Sequence, residues 1–508
     1  MRIDYAVLAI FLPAAALAQA PLSAIEWLGE NSPQVRSGPV LMEPPVTKTA
    51  LHPQIDVQPL RKLAESVGLV PSSVTGLPED LWRGSDPATL AALIAEVPVQ
   101  DSPAMQTLLY TLLLSETRPP DGVTAEETLL LARLDRLMEL GAVDPAQSLA
   151  EAAAPSKSSA RFRRWFDAAL LTGNEAATCA ALGEAPHLIP DYDARIYCDV
   201  RTGDWETAAL TLEAAHALEL LSPDQLDLLD RFLSPEVFDG APPLRAPDAP
   251  DPLTFRMFED IGEPLPTASL PRAFATADLR DLAGWKAQVE AAERLTRIGA
   301  LPPNRMLGLF TERSPAASGG IWDRIQALQR FETALEQKSP EAVAKTLPPV
   351  WEAMREAQLE VPFATLFAAP LSEVVLDDPK ARSIAWQLEL LSPDYEVAAQ
   401  TPLGQGKVDQ FLAALALGNP GSVPAPGGRA MAIAEGFADD PELPQRIEFA
   451  LNDGRLGEAI LIAMQYFDRG ANGNSTDLTS ALATFRTVGL EDIARRAALQ
   501  VMLLDRHG

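Results

Sequence analysis

The sequence predicts an all-α chain built from short helical hairpins, and three observations carry that expectation. Alanine and leucine dominate while runs of β-branched residues are scarce, which favours helix on propensity. Many of the 45 prolines directly follow Ser or Asp: Asp86-Pro87, Ser102-Pro103, Asp144-Pro145, Ser222-Pro223, Ser339-Pro340, Asp378-Pro379, Ser392-Pro393 and Asp440-Pro441. Such a pair opens a helix. The Ser or Asp side chain caps free N–H groups of the first turn, and proline takes the first helical position, whose N–H has no partner anyway. Third, apolar residues recur at helical spacing. Leu130, Leu131, Leu134, Leu137 and Met138 share one face, with Thr124 and Glu127 as a capping box ahead of them. Leu490, Ile493, Ala494, Ala497, Ala498 and Val501 repeat the pattern near the C-terminus. The pattern gives roughly twenty helical segments of ordinary length. The best strand candidate, Ile55-Asp56-Val57, is short.

From the N-terminus, Arg2 precedes an apolar run of 13 residues, Tyr5 to Leu17. That is signal-peptide length, well short of the roughly 20 residues a spanning helix needs. Two small-residue sites compete for cleavage. Pro21 would hinder a cut after Ala20, so cleavage is expected after Ala18, leaving Gln19 as the mature N-terminus. The expectation is export to the periplasm with no membrane span after cleavage. Residues 19–58 carry scattered prolines and one apolar cluster, Ile25, Trp27 and Leu28, and read as an extended Pro-rich arm. Trp27 is the arm's candidate partner-docking residue, and its folding back onto the chain's own first block is the equal alternative. Helical blocks follow at 59–240, 253–418 and 429–508, separated by Pro-rich linkers at 241–252 and 419–428.

Acids outnumber bases 70 to 41, for a net charge of −29. Nucleic acid is therefore a poor partner, since binding it relies on Lys and Arg replacing counterions. The acidic surface favours basic partners or solubility. Hydrophobic residues at 47% and charged residues at 22% are ordinary globular proportions, so the chain can bury a large core.

Turn glycines recur at Gly141, Gly173 and Gly203, spaced by 32 and 30 residues. The sharpest copy runs Gly203-Asp204-Trp205-Glu206-Thr207-Ala208 and continues to Leu212 and Ala215; an echo runs from Gly454 to Ala459. This resembles the second half of the tetratricopeptide repeat (TPR). The resemblance implies stacked helical hairpins, a degenerate TPR-like α-solenoid, in which Ala208 and Ala215 let helix axes approach and Trp205 fills the gap at the turn. The first-helix Trp and Tyr of that pattern are not found at fixed spacing, and a plain helical bundle is the alternative. The leader, the segment TGLPEDLW at 75–82 and the Ala-rich helices together are similar to a group of uncharacterised exported proteins of alphaproteobacteria, some labelled antifreeze-like. An ice-binding alanine helix needs threonines about 11 residues apart, matching three helical turns. Here threonine is sporadic.

Cys179 and Cys198 are the only cysteines. Export places them in an oxidising compartment, and they flank the loop of one antiparallel hairpin, so a structural disulfide is expected, stabilising by roughly 3 kcal/mol. The four histidines are scattered, with no zinc-protease spacing. None of the eight lysines has Ser three positions before it, and no G-x-S-x-G elbow occurs. Gly404-Gln405-Gly406-Lys407 imitates a phosphate loop, but Thr401 and Val408 stand where glycine and Ser or Thr belong, so it reads as a turn before a helix. No cofactor or metal is expected. The functional expectation is a non-catalytic periplasmic scaffold binding a protein or peptide of a cell-envelope assembly, such as the flagellar motor, secretion or cell-wall machinery. The alternative is a peptidoglycan-acting enzyme or its accessory subunit, which would need two perturbed carboxylates in a deep cleft.

Overall fold

Ser and Asp caps open the helices much as the Pro pairs predict. A computed structural model describes residues 66–122, 124–280 and 282–504. The expected leader with its expected Ala18–Gln19 cleavage site, the expected 19–58 arm with Trp27, and the strand candidate at 55–57 lie outside the described residues. Among the described residues the chain is all-helical, with 25 helices.

The first ten are α1 (Ser72–Thr75), α2 (Pro87–Glu96), α3 (Pro103–Leu114), α4 (Ala125–Leu140), α5 (Val143–Ala152), α6 (Ser159–Thr172), α7 (Ala176–Glu184), α8 (Tyr192–Thr202), α9 (Trp205–Ala217) and α10 (Pro223–Leu233). The next eight are α11 (Pro252–Asp260), α12 (Ala275–Asp278), α13 (Trp285–Thr296), α14 (Pro303–Thr311), α15 (Ile321–Glu336), α16 (Pro340–Glu356), α17 (Glu360–Ser372) and α18 (Pro379–Leu391). The last seven are α19 (Tyr395–Ala399), α20 (Lys407–Ala416), α21 (Gly428–Gly436), α22 (Gln445–Asn452), α23 (Leu456–Ala471), α24 (Ser475–Thr487) and α25 (Glu491–Leu503).

Asp86, Ser102, Ser222, Ser339 and Asp378 each cap a helix whose first residue is the following proline. Ser222 and Gln225 complete a capping box. Three pairs depart from this. Asp144 and Pro145 lie inside the first turn of α5, Pro393 lies in a turn before α19, and Pro441 lies in the loop before α22. The Thr124–Glu127 capping box is not formed. Glu127 instead accepts from Ser158 Oγ and, at 2.5 Å, from Arg161 Nε, so its carboxylate holds α6 rather than its own helix. The 241–252 stretch ends one residue early, because Pro252 opens α11 under the Asp251 cap.

Packing is not confined to sequence neighbours. Residues from Val70 to Phe258 and from Trp386 to Val501 contribute to one apolar core, and a second core fills the region from Ala275 to Leu391. Leu81 and Trp82 of the 75–82 segment are fully buried. Trp82 Nε1 donates to Thr117 Oγ1 at 3.0 Å, and the Gly457 N–H donates to the Leu81 carbonyl at 2.9 Å. The Ala104 N–H donates to Gln500 Oε1 at 2.8 Å, joining α3 to α25. No described helix is long and apolar enough to cross a membrane.

Candidate functional site: a tied hairpin and its exposed face

The hairpin of α7 and α8 carries the chain's two cysteines. They form a disulfide, Cys179–Cys198, with Cα atoms 4.9 Å apart and both side chains buried. A buried polar network lies beside it. Glu175 Oε1 accepts from Tyr197 Oη at 3.1 Å, Arg201 Nη2 at 2.6 Å and Arg256 Nη2 at 3.4 Å. Burial alone would raise the Glu175 carboxyl, but its own backbone N–H and the guanidinium groups of Arg256 and Arg201 outweigh that and hold it below the ordinary value. Arg256 also pairs with Glu259, which takes Arg280 Nη2 at 2.7 Å. Tyr197 stacks on Phe232, ring centroids 5.5 Å apart, which ties α8 to α10. The hairpin is thereby a rigid base for whatever α9 and α10 present.

Gly173 and Gly203 end α6 and α8 in the left-handed conformation, at φ 79° and 89°, where a side chain would be strained. Gly454 occupies the matching place between α22 and α23. Beyond Gly203, Asp204 caps α9 by accepting from the Thr207 N–H at 3.1 Å and from Thr207 Oγ1 at 2.8 Å. These bonds lower the Asp204 carboxyl. Ala208, Leu212 and Ala215 form the buried face of α9. Trp205 does not fill the gap at the turn; it is 49% exposed. The alanines bring α9 onto α8 without leaving a gap, so the indole stays outside.

The opposite face of α9 has no cover among the described residues. Leu210, Ala214, Ala217 and Leu218, at i, i+4, i+7 and i+8, make an exposed apolar stripe. Leu210 is 69% exposed and Leu218 66%, with Leu220 and Val237 of the following segments also exposed. Between Leu218 and Leu220, Glu219 holds a left-handed turn at φ 53°, donating its N–H to the His216 carbonyl. Around the stripe, residues 204–239 carry nine carboxylates, all exposed, against one Lys or Arg, Arg231. Arg231 is already engaged by Glu263 at 2.9 Å. The surface is an apolar strip in an acidic frame. The sequence points to the buried alanines of α9 but not to this stripe, although its Leu-Ala spacing is visible once the other face is assigned inward.

Two further features bear on chemistry. The Asp167 carboxyl on α6 is pushed up to about 7, first by burial, with Asp251 and Asp135 adding to the rise and Arg163 and Arg164 opposing it. Asp193 is also raised, chiefly by burial with Asp251 contributing, and accepts from the Ala194 N–H at 2.8 Å and from Gln225 Nε2 at 3.2 Å. The imitation phosphate loop is occupied by an acid. Asp409 Oδ2 lies 3.0 Å from where a Cβ on Gly404 would stand and 3.3 Å from that of Gly406, so phosphate would be repelled. Among the described residues no His, Cys, Asp and Glu group is arranged to hold a metal ion. His187 and His216 are both exposed.

Compared with known proteins, the chain matches no family model, no curated protein and no solved structure.

Proposed function

We propose that the protein is an exported, non-catalytic scaffold of TPR-like helical hairpins. After cleavage between Ala18 and Gln19 it works in the periplasm, where it docks a protein of a cell-envelope assembly such as the flagellar motor, secretion or cell-wall machinery. The observation that carries this reading is the uncovered apolar stripe of α9 within its frame of nine exposed carboxylates. That pairing suits a partner helix with its own apolar stripe and Lys or Arg flanks. The stripe supplies contact area, and the carboxylates select basic partners and speed encounter. The Cys179–Cys198 disulfide supports an oxidising compartment.

The test is affinity capture of the mature protein from crosslinked cells. One envelope complex recovered in stoichiometric amount, and lost in the L210D/L218D variant at unchanged helicity, is the expected result. Equal recovery with that variant refutes the docking face. Deleting residues 19–58 then tests whether the arm contributes.

A second reading, an enzyme or accessory subunit acting on peptidoglycan, draws on the raised Asp167 and Asp193 carboxyls, which share Asp251 as a neighbour. A peptidoglycan-digestion assay separates it. Activity abolished by Asp167→Asn would replace the scaffold reading.

A further inference from the structure

The outer side of the α15–α16 hairpin carries an open groove of about 720 Å³, remote in sequence from the α9 face. Its charge runs against that of the whole molecule. No lining residue carries a carboxylate, whereas Arg330 from α15 and Lys345 from α16 both line it, in a chain of net charge −29. Both cations are exposed, and neither takes part in an ion pair among the described residues. Their neighbours on the same hairpin are paired. Arg324 holds Glu293 at 2.5 Å, and Lys338 holds Glu373 at 2.6 Å. In a chain this acidic, two cations left free on one groove mark a place where opposite charge is brought from outside.

The helix that borders the groove is also short of two backbone donors. Pro348 and Pro349 stand side by side inside α16. Neither has an N–H, so the carbonyls of Ala344 and Lys345 receive no helical hydrogen bond from them. An interior proline is costly to a helix relative to alanine. Lys345 and Pro349 both line the groove, so the unmatched turn borders it. The floor includes Ala327, Ala334 and Ala342, which let a backbone approach closely. Gln326 and Gln337 add amides able to donate and accept, whereas Gln329 Nε2 already donates to the carbonyls of Phe310 and Arg313, at 2.8 and 2.7 Å.

We propose that this groove binds an extended, acidic segment of another protein. Its backbone N–H groups would meet the unmatched carbonyls of α16, and its Asp or Glu side chains would meet Arg330 and Lys345. An acidic glycan fits less well, because no lining residue is aromatic and sugar faces would have nothing to stack on. The groove is independent of the α9 face and gives the same scaffold a second site of opposite charge preference.

The probe is a fluorescein-labelled peptide of alternating Glu and Ala, titrated by anisotropy against the full mature protein. Salt is set near 0.15 M, where a Debye length of about 8 Å confines the global negative field and leaves the groove's own charges to act. We expect saturable binding, weakened roughly tenfold or more when Gln replaces Glu in the peptide, as for two lost charge contacts. The R330E/K345E variant should lose it to a similar extent with an unchanged melting temperature, since both side chains are exposed. P349A, which returns an N–H to α16, should raise the melting temperature yet weaken the peptide several-fold, a combination that a purely structural proline does not produce. Equal affinity for the Glu and Gln peptides, unchanged affinity in R330E/K345E, or no binding at millimolar peptide overturns the proposal. Tighter binding of an oligogalacturonate than of the peptide overturns it in favour of a glycan.

Discussion

Arg133 shows how much a single side chain can hold. It lies on α4, is 2% exposed, and donates to the carbonyls of Leu113 at 2.6 Å, Val67 at 2.9 Å and Ser115 at 2.9 Å. These carbonyls belong to the end of α3 and the extended stretch before α1, so the guanidinium joins three segments. Burial lowers it to about 10, which leaves it charged at neutral pH. Arg133→Met should therefore destabilise by about 3 kcal/mol, because three carbonyls lose the buried charged donor they share; urea denaturation measures it. A change under about 0.5 kcal/mol, the scale of a neutral surface site, would contradict that role. Nothing in the sequence separates this arginine from its solvent-facing neighbours, since burial among leucines is decided by where distant segments cross. Asp167 makes a pH-dependent case. Its folded-state value of about 7 exceeds the ordinary 3.8, so the folded chain holds the proton more tightly than the unfolded one. Its contribution is fully present below about pH 4 and is lost as pH rises through about 7. Asp167→Asn should match the parent near pH 4 and exceed it at pH 8 by about 1 kcal/mol or more, since each tenfold change in proton affinity is worth about 1.4 kcal/mol. Thermal melts across that range decide it.

At the scale of elements, helix starts were the most legible feature. Asp86, Ser102, Ser222, Ser339 and Asp378 cap where local chemistry says they should, because capping is settled within four residues. Asp144 fails because Gly141 ends α4 so close by that α5 has already begun at Val143. The Cys179–Cys198 bond was legible for the same reason as the caps: two adjoining helices and a sequence separation of 19. Replacing both cysteines with serine should cost about 3 kcal/mol, read as a lower urea midpoint that added reductant no longer shifts. Trp205 departs from expectation because repeat logic assigns the aromatic to a gap, whereas Ala208 and Ala215 already close it. The turn at Glu219 belongs here too. A glycine at that left-handed position would relieve strain, so Glu219→Gly should stabilise by about 1 kcal/mol in thermal melts. By the docking account it should also weaken partner capture, because it removes one carboxylate of the frame.

The whole molecule was the least legible level. The division into blocks follows proline density, but the contacts of α2 and α3 with α23 and α25 join residues almost 400 apart, as between Ala104 and Gln500, separated by 396. No local pattern encodes such a contact. Its trace is Gly457, where a Cβ would stand 2.5 Å from the Trp82 ring; in sequence this is merely one more residue of a repeat echo. Gly457→Ala should therefore cost about 2 kcal/mol through overpacking, with protease cutting appearing first near the 75–82 segment. Likewise the exposed α9 stripe and the cationic α15–α16 groove become visible only once the packed faces are subtracted.

The most direct test of the docking account is photo-crosslinking in intact cells with the reactive group at Leu210, compared with the same group at Val375, which is 80% exposed and outside the acidic frame. One dominant adduct is expected from Leu210, captured through a helix bearing Lys or Arg beside its apolar residues, and none of it from Val375. The same spread of adducts from both positions would contradict it.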